Sequence, residues 1–101
     1  MIPTRKNFEL PLLRVILDSG GELKPQAAYA LVESFFPEMT AYDKELRDIR
    51  NQVVWKGNLH WARHNLANKG YLFPEPHGIW KITPKGTRFL EEHWSSWKPD
   101  Y

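Results

Sequence analysis

The spacing of apolar residues predicts a mostly helical chain. Apolar residues recur three and four positions apart over most of the sequence, as they do along the buried face of an amphipathic helix. Glycines and prolines separate these stretches at positions where helices commonly begin or end. The predicted helices cover residues 7–18, 25–36, a charged stretch at 40–49, then 57–68 or one turn more at its start, and a last helix that begins at 83.

Two short apolar runs after the fourth predicted helix indicate a β-hairpin. Residues 71–73 and 79–82 are rich in aromatic and β-branched side chains, and two prolines and Gly78 lie between them. Thr83 and Pro84 then provide the cap and the first position of the last helix. A helix followed by a small hairpin is typical of a winged helix-turn-helix. The predicted fold class is therefore α+β, mostly helical with a small β-hairpin wing.

Length and composition predict a single domain. Of 101 residues, 42% are hydrophobic and 14% aromatic, which is enough to bury one core. We expect an N-terminal arm at 1–7, a winged-helix domain at 8–94, and a tail or the start of a linker at 95–101. The sequence has no membrane-spanning run and no signal-peptide core, so we expect a cytoplasmic protein with no membrane partner. The absence of cysteine excludes disulfides, thiolate zinc sites and cysteine nucleophiles.

Positive charge is concentrated in one part of the chain. The formal net charge is only +2, but residues 56–90 carry six lysine and arginine side chains against the single acid Glu75. This stretch contains the fourth predicted helix and the hairpin. These two elements are therefore the part of the chain that an anionic partner would contact.

The fourth predicted helix has one apolar stripe and one polar face without acids. The stripe consists of Trp55, Leu59, Ala62 and Leu66. We expect Trp61 to be buried as well, which would turn His60 and Arg63 outward together. An exposed Trp61 would instead centre the outer face on His64 and Asn68.

The candidate DNA-binding residues carry cations, amides or imidazoles that can bond to phosphates or base edges. A helix fits the major groove, which is about 12 Å wide. The expected base readers on the helix are Asn58, His60, Arg63 and His64. The other expected contacts are Lys56, Asn68, Lys69 and Lys81, the arm residues Arg5 and Lys6, and His77 at the tip of the wing. The simpler interpretation of each side chain is an ordinary solvated surface residue.

The sequence contains no convincing catalytic or metal-binding set. Glu22 and Lys24 have the E-x-K spacing of metal-dependent nucleases, but an aspartate at the required earlier strand is absent. His60 and His64 are one helical turn apart, but Trp61 stands where a zinc protease needs glutamate. We therefore expect no catalytic residues, no metal and no cofactor, and a chain that is not itself an enzyme.

Several short motifs resemble the N-terminal winged-helix domain of Mrr-type (modification-dependent) restriction endonucleases. The matching residues, in order, are Ile2-Pro3-Thr4, Leu10-Pro11-Leu12-Leu13, Gly20-Gly21, Trp61-Ala62-Arg63, Leu66, Lys69-Gly70-Tyr71-Leu72 and Gly78-Ile79-Trp80-Lys81-Ile82-Thr83-Pro84-Lys85-Gly86. They extend from residue 2 to about residue 90. The resemblance implies a DNA-binding domain that is joined to a separate nuclease domain in enzymes that cut modified DNA.

These observations favour a module that binds double-stranded DNA and targets a restriction-type system, with recognition of modified DNA as an extension. The alternative is a winged helix used for protein interaction or dimerisation. In that case Trp94 and Trp97 in or near the tail would contact a nuclease domain, a partner chain or a second copy. A small transcription regulator is a further option.

Overall fold

The computed structural model describes residues 1–74 and 78–99. Within these ranges it contains five α-helices and two short strands: α1 Glu9–Asp18, β1 Glu22–Leu23, α2 Pro25–Glu33, α3 Ala41–Glu45, α4 Val54–Asn68, β2 Trp80–Lys81 and α5 Pro84–His93. Single 3-10 turns precede α1 at Lys6–Phe8 and follow α5 at Trp94–Ser96. The predicted α+β class is confirmed, and the arrangement is consistent with a winged-helix-like fold.

Helix α1 is at the centre of the core because its apolar residues meet three other helices. Leu12, Leu13 and Ile16 have no exposed surface, and α1 packs against α2, α4 and α5. Each such side chain contributes about 1.5–3 kcal/mol by leaving water. The other buried hydrophobic residues of this cluster are Phe8, Val15, Ala28, Val32, Phe36, Met39, Trp55, Leu59, Ala62, Leu66, Leu72, Trp80 and Leu90. Helix α4 is thus fixed along one face, which leaves its other face at the surface.

The small sheet differs from the predicted hairpin. Strand β2 pairs antiparallel with β1, in the register Glu22 to Lys81 and Leu23 to Trp80. On its other side the predicted hairpin is reduced to one bridge between Leu72 and Ile82. Strand β1 was not predicted, because it is too short to show alternation. Since Gly21 directly precedes β1, its carbonyl is able to accept a hydrogen bond from the Ile82 N–H at 3.0 Å.

Helix α3 is shorter than the predicted helix at 40–49. Thr40 and Asp43 form a capping box at its start, but the backbone becomes extended at Leu46. The Asp48 carboxylate then accepts bonds from the backbone N–H of Arg50 at 2.8 Å and of Gln52 at 3.0 Å. Aspartate that bonds to nearby backbone in this way competes with helix formation. Residues 47–53 therefore form a compact turn, here called the 47–53 turn, which leads directly into α4.

The other predicted helices are close to those observed, except that α2 ends at Glu33 and not at Phe36. Helix α4 begins at Val54, one turn before Gly57, as the sequence allowed. Helix α5 begins at Pro84, and the Thr83 hydroxyl accepts a bond from the Gly86 N–H at 2.9 Å. None of the helices in the described part of the chain combines the length and hydrophobicity needed to cross a membrane.

The described part of the C-terminal tail packs on the domain. The rings of Trp94 and Trp97 stack with centroids 5.6 Å apart, and both lie edge-on to Phe35. The Trp97 indole N–H donates to the Asn7 carbonyl at 3.2 Å, and the Asn7 amide donates to the Lys98 carbonyl at 3.1 Å. The two tryptophans that would serve a partner in the interaction hypothesis are thus already engaged within the domain.

Candidate nucleic-acid interface

The rotation of α4 about its axis decides which side chains reach the surface. The stripe formed by Trp55, Leu59, Ala62 and Leu66 is buried, as its spacing predicted. The prediction that Trp61 is buried is wrong, because 49% of this residue is exposed. Trp61 lies one position before Ala62, about 100° around the helix from the stripe. The space beneath the helix is already filled by Trp55 and Trp80, which are almost completely buried.

An exposed Trp61 centres the outer face on the second half of the helix. His64 and Asn68 are both exposed one turn apart, and the Asn68 amide lies 3.2 Å from His64 Nε2. The His64 ring meets the Trp61 ring edge-on at 5.6 Å. Arg63, expected to face outward, is half-buried. Trp61, His64 and Asn68 therefore form the outermost row of α4.

The N-terminal arm lies against this row. The Arg5 guanidinium stands 4.6 Å from the centroid of the Trp61 ring, within cation–π range. The Asn58 amide donates to the Pro3 carbonyl at 3.1 Å, and Pro3 itself is buried. Asn58, predicted as a base reader, therefore holds the arm, while Arg5 is held over the helix. Lys6 is exposed in the turn before α1.

The first half of α4 is connected to α2 through Tyr29. The Tyr29 hydroxyl and His60 Nε2 form a short hydrogen bond, and the Lys56 ammonium stands 4.8 Å from the Tyr29 ring centroid. Partial burial raises the pKa of Tyr29, so the phenol keeps its proton at neutral pH. His60 also meets Trp80 edge-on at 5.3 Å. Both predicted residues lie on the surface, but each is positioned by an aromatic neighbour.

The predicted lysines beyond the helix each have an acidic neighbour. The Lys69 ammonium is 3.4 Å from the Glu9 carboxylate, which is almost buried. The Lys81 ammonium is 3.8 Å from Glu22 across the β1–β2 pair. These pairs weaken the attraction of both lysines for a phosphate. His77, at the predicted wing tip, lies outside the described residues.

A groove runs along the outer face of α4. It is open to solvent, has a volume of about 620 Å³, and is lined by Tyr29 of α2, by Gln52 and Val53 before α4, and by the exposed side of α4. Gly57 forms part of the wall, and a Cβ built there would meet nothing within 4 Å. Tyr29 was not predicted as a site residue, because the spacing of α2 indicates only that it belongs to a helix.

The 47–53 turn contributes two further cations that the sequence interpretation missed. Arg47 and Arg50 are exposed, and the Arg47 guanidinium donates to the Asn51 carbonyl at 2.9 Å. Arg50 lines a second cleft, of about 300 Å³, together with Arg5 and Trp61. Arg47 was missed because it falls within the third predicted helix at 40–49, and Arg50 was missed because it directly follows that helix. The signal that could have placed them is Asp48, a residue that commonly bonds to the backbone of a turn.

The described residues offer no assembled metal site. Across residues 1–74 and 78–99, no three His, Asp or Glu side chains lie close enough together to hold an ion. Glu22 of the E-x-K sequence lies in β1 and faces Lys81, and Lys24 is the residue before α2.

Comparison with known proteins connects this geometry to a family. The family model described as Mrr N-terminal domain matches residues 6–92, which is most of the chain. The matched model is that of an N-terminal domain and not of a catalytic one. No curated protein and no solved structure matches the chain significantly.

Proposed function

Because the chain belongs to the Mrr N-terminal domain family, we propose that it binds double-stranded DNA as the targeting module of a restriction-type system. The family supports the association with restriction systems. The acid-free outer face of α4 supports DNA as the ligand. In a full-length protein, cleavage would belong to a separate nuclease domain, and such a role would be carried out in the cytoplasm.

The observation that carries this proposal is the charge and chemistry of α4. No acidic residue occurs between Val54 and Asn68. Lys56 on the helix and Arg5 beside it supply positive charge, and each cation stands over an aromatic ring. A helix of this kind can enter the major groove while flanking cations contact phosphates.

His64 and Asn68 are the side chains best placed to meet base edges. They lie on the outermost row of α4, and their contact at 3.2 Å holds one in a defined position relative to the other. Asparagine can bond to adenine through two atoms, and an imidazole N–H can donate to guanine N7 or O6. The exposed ring of Trp61 beside them offers an apolar surface for the 5-methyl group of thymine or of a methylated cytosine.

Salt dependence of binding to one short duplex tests the proposal. Contact with about four to six phosphates predicts a log–log slope of roughly −3 to −5. A titration that is insensitive to salt would refute it. The same duplex in unmodified, methylated and hydroxymethylated form tests modification reading, and equal binding to all three would limit the function to backbone contact.

Two arginines provide a matched pair for this titration. Arg5→Ala removes a cation held over α4 and should reduce the salt slope by about 1. Arg88→Ala removes an exposed arginine from α5, which packs on α1, and should leave the slope unchanged. Equal effects of the two substitutions would contradict the assignment of the binding face to α4.

A further inference from the structure

A concave, aromatic surface lies between α4, Tyr29 of α2 and the residues just before α4. The rings of Tyr29, His60, Trp61 and His64 line the groove of about 620 Å³. Its wall at Gly57 is open, because a Cβ there would have no neighbour within 4 Å. This concavity has the size and the aromatic lining of a small-molecule site.

The chemistry of the groove suits a nucleobase. Bases stack on aromatic side chains with about 1–3 kcal/mol per base, whatever their sequence. The exposed imidazole of His64 can bond to the edge of such a base. Lys56 stands at the groove beside Tyr29, where it would meet the attached phosphate, and none of the lining residues is acidic.

A second, independent observation is an apolar side chain presented at the tip of the 47–53 turn. Ile49 is 102% exposed, yet the turn that carries it is rigidly bonded. The Asn51 N–H donates to the Asp48 carbonyl at 2.9 Å, in addition to the two bonds accepted by the Asp48 carboxylate. Isoleucine is one of the residues that DNA-distorting proteins insert between base steps.

The turn and the groove are adjacent. Ile49 and Arg50 line the second cleft, which shares Gly57 and Trp61 with the groove. A wedge residue and an aromatic receptor therefore flank the same part of α4, with a cation beside the wedge. Enzymes that extrude a base require both features, since the duplex must be kept open while the base is held.

We infer that the groove receives a nucleobase rotated out of the duplex, and that Ile49 enters the base stack at the vacated position. This inference rests on the proposed binding of double-stranded DNA. It adds a specific ligand, the extruded base, and a specific wedge. Trp61 and Tyr29 form the stacking surface, and Lys56 contacts the phosphate of the extruded nucleotide.

Three duplexes of one sequence test it: fully paired, with a single mismatch, and with the bases missing from both strands at that position. A mismatch lowers the cost of unpairing, which is a few kcal/mol, so the mismatched duplex should bind on the order of tenfold tighter than the paired one. The mismatched duplex should also bind more tightly than the duplex that lacks both bases at that position, because only the mismatch offers a base to the groove. A protein that merely favours flexible DNA would bind the last two equally.

Substitutions at exposed positions test separately the role of Trp61 in stacking and the role of Ile49 as the wedge. Trp61→Ala should abolish the preference for the mismatch over the baseless duplex, and Trp61→Phe should retain it. Ile49→Ala should weaken binding to the paired and the mismatched duplex. Tyr42→Ala, which removes a large exposed ring from α3 outside both clefts, should change none of these affinities.

The outcomes separate this inference from the function on which it rests. Equal affinity for all three duplexes, with a steep salt dependence, would overturn base extrusion and leave duplex binding intact. Failure to bind any of the duplexes would overturn both. Retention of the mismatch preference in Trp61→Ala would overturn the assignment of the groove as the site that holds the extruded base.

Discussion

The contact between α5 and the backbone of Tyr71 makes Gly86 a sharply testable position in the domain. A Cβ at this position would lie 2.1 Å from the Tyr71 carbonyl oxygen and 2.9 Å from its carbon. Both are backbone atoms and cannot rotate away. Gly86→Ala must therefore push the start of α5 away from the Tyr71 backbone. This movement strains the bond from the Thr83 N–H to the Tyr71 carbonyl at 3.1 Å.

The expected change in the free energy of unfolding follows from opposing effects at Gly86. Overpacking costs about 1–3 kcal/mol and loss of one hydrogen bond about 1 kcal/mol, whereas alanine gains about 1 kcal/mol in helix propensity. We expect Gly86→Ala to lower the free energy of unfolding by about 2 kcal/mol. For a domain of this size that corresponds to a Tm lower by roughly 8–15 °C.

Gly57→Ala is the matched control, because it places the same substitution in another helix without a neighbour within 4 Å. It should raise stability by up to about 1 kcal/mol. Urea denaturation of both variants gives the comparison, with the midpoint as the readout and an unchanged m-value as the check on two-state behaviour. A Gly86→Ala variant as stable as the wild type would refute the close contact between α5 and the Tyr71 backbone.

Further predictions concern the arm, the outer face, the cap of α3 and the tail. His64→Ala should weaken duplex binding by about 1–3 kcal/mol and more than Asn58→Ala does, since the Asn58 amide is bonded to the arm; the reverse order in a binding titration would contradict the outer face described above. The terminal ammonium of Met1 and the cap bond lower the pKa of Asp43, so its contribution is present at neutral pH and is lost as pH falls through that lowered value. Asp43→Asn should accordingly show a smaller drop in Tm on acidification, and an identical drop would exclude this group. Trp97→Ala should cost about 2–3 kcal/mol of stability in urea denaturation, because the ring packs on Phe35 and its N–H is bonded; an unchanged midpoint would show that the tail is not part of the folded unit.

Periodicity predicted the buried side of α4 correctly, and proline or glycine signals predicted the start of α2 and α5 and the end of α1 and α4, but not the end of α2. The four stripe residues of α4 are buried because a spacing of three and four places them on one face, whatever lies opposite. The exposure of Trp61 could not be predicted from spacing alone. It depends on how much space Trp55 and Trp80 leave, and that is a property of the packed core.

The dependence on packing and on individual hydrogen bonds also explains why the predictions of the sheet and of α3 differ from the structure. Strand β1 exists because it lies beside β2 in space, and its two residues contain no pattern of their own. Helix α3 ends early because Asp48 bonds to backbone four residues ahead, and a spacing of apolar residues does not report such a bond. The groove with Tyr29 likewise joins residues from α2 and α4 that are far apart in the sequence.

The bonds between Asn7 and the tail bring the two ends of the domain together in space. Asn7 contacts both Trp97 and Lys98, 90 and 91 positions away. A domain whose first and last elements meet can be inserted into a surface loop of a host protein without stretching either junction. The domain is thus suited to modular reuse, as a unit that can be transplanted with α4 still facing outward.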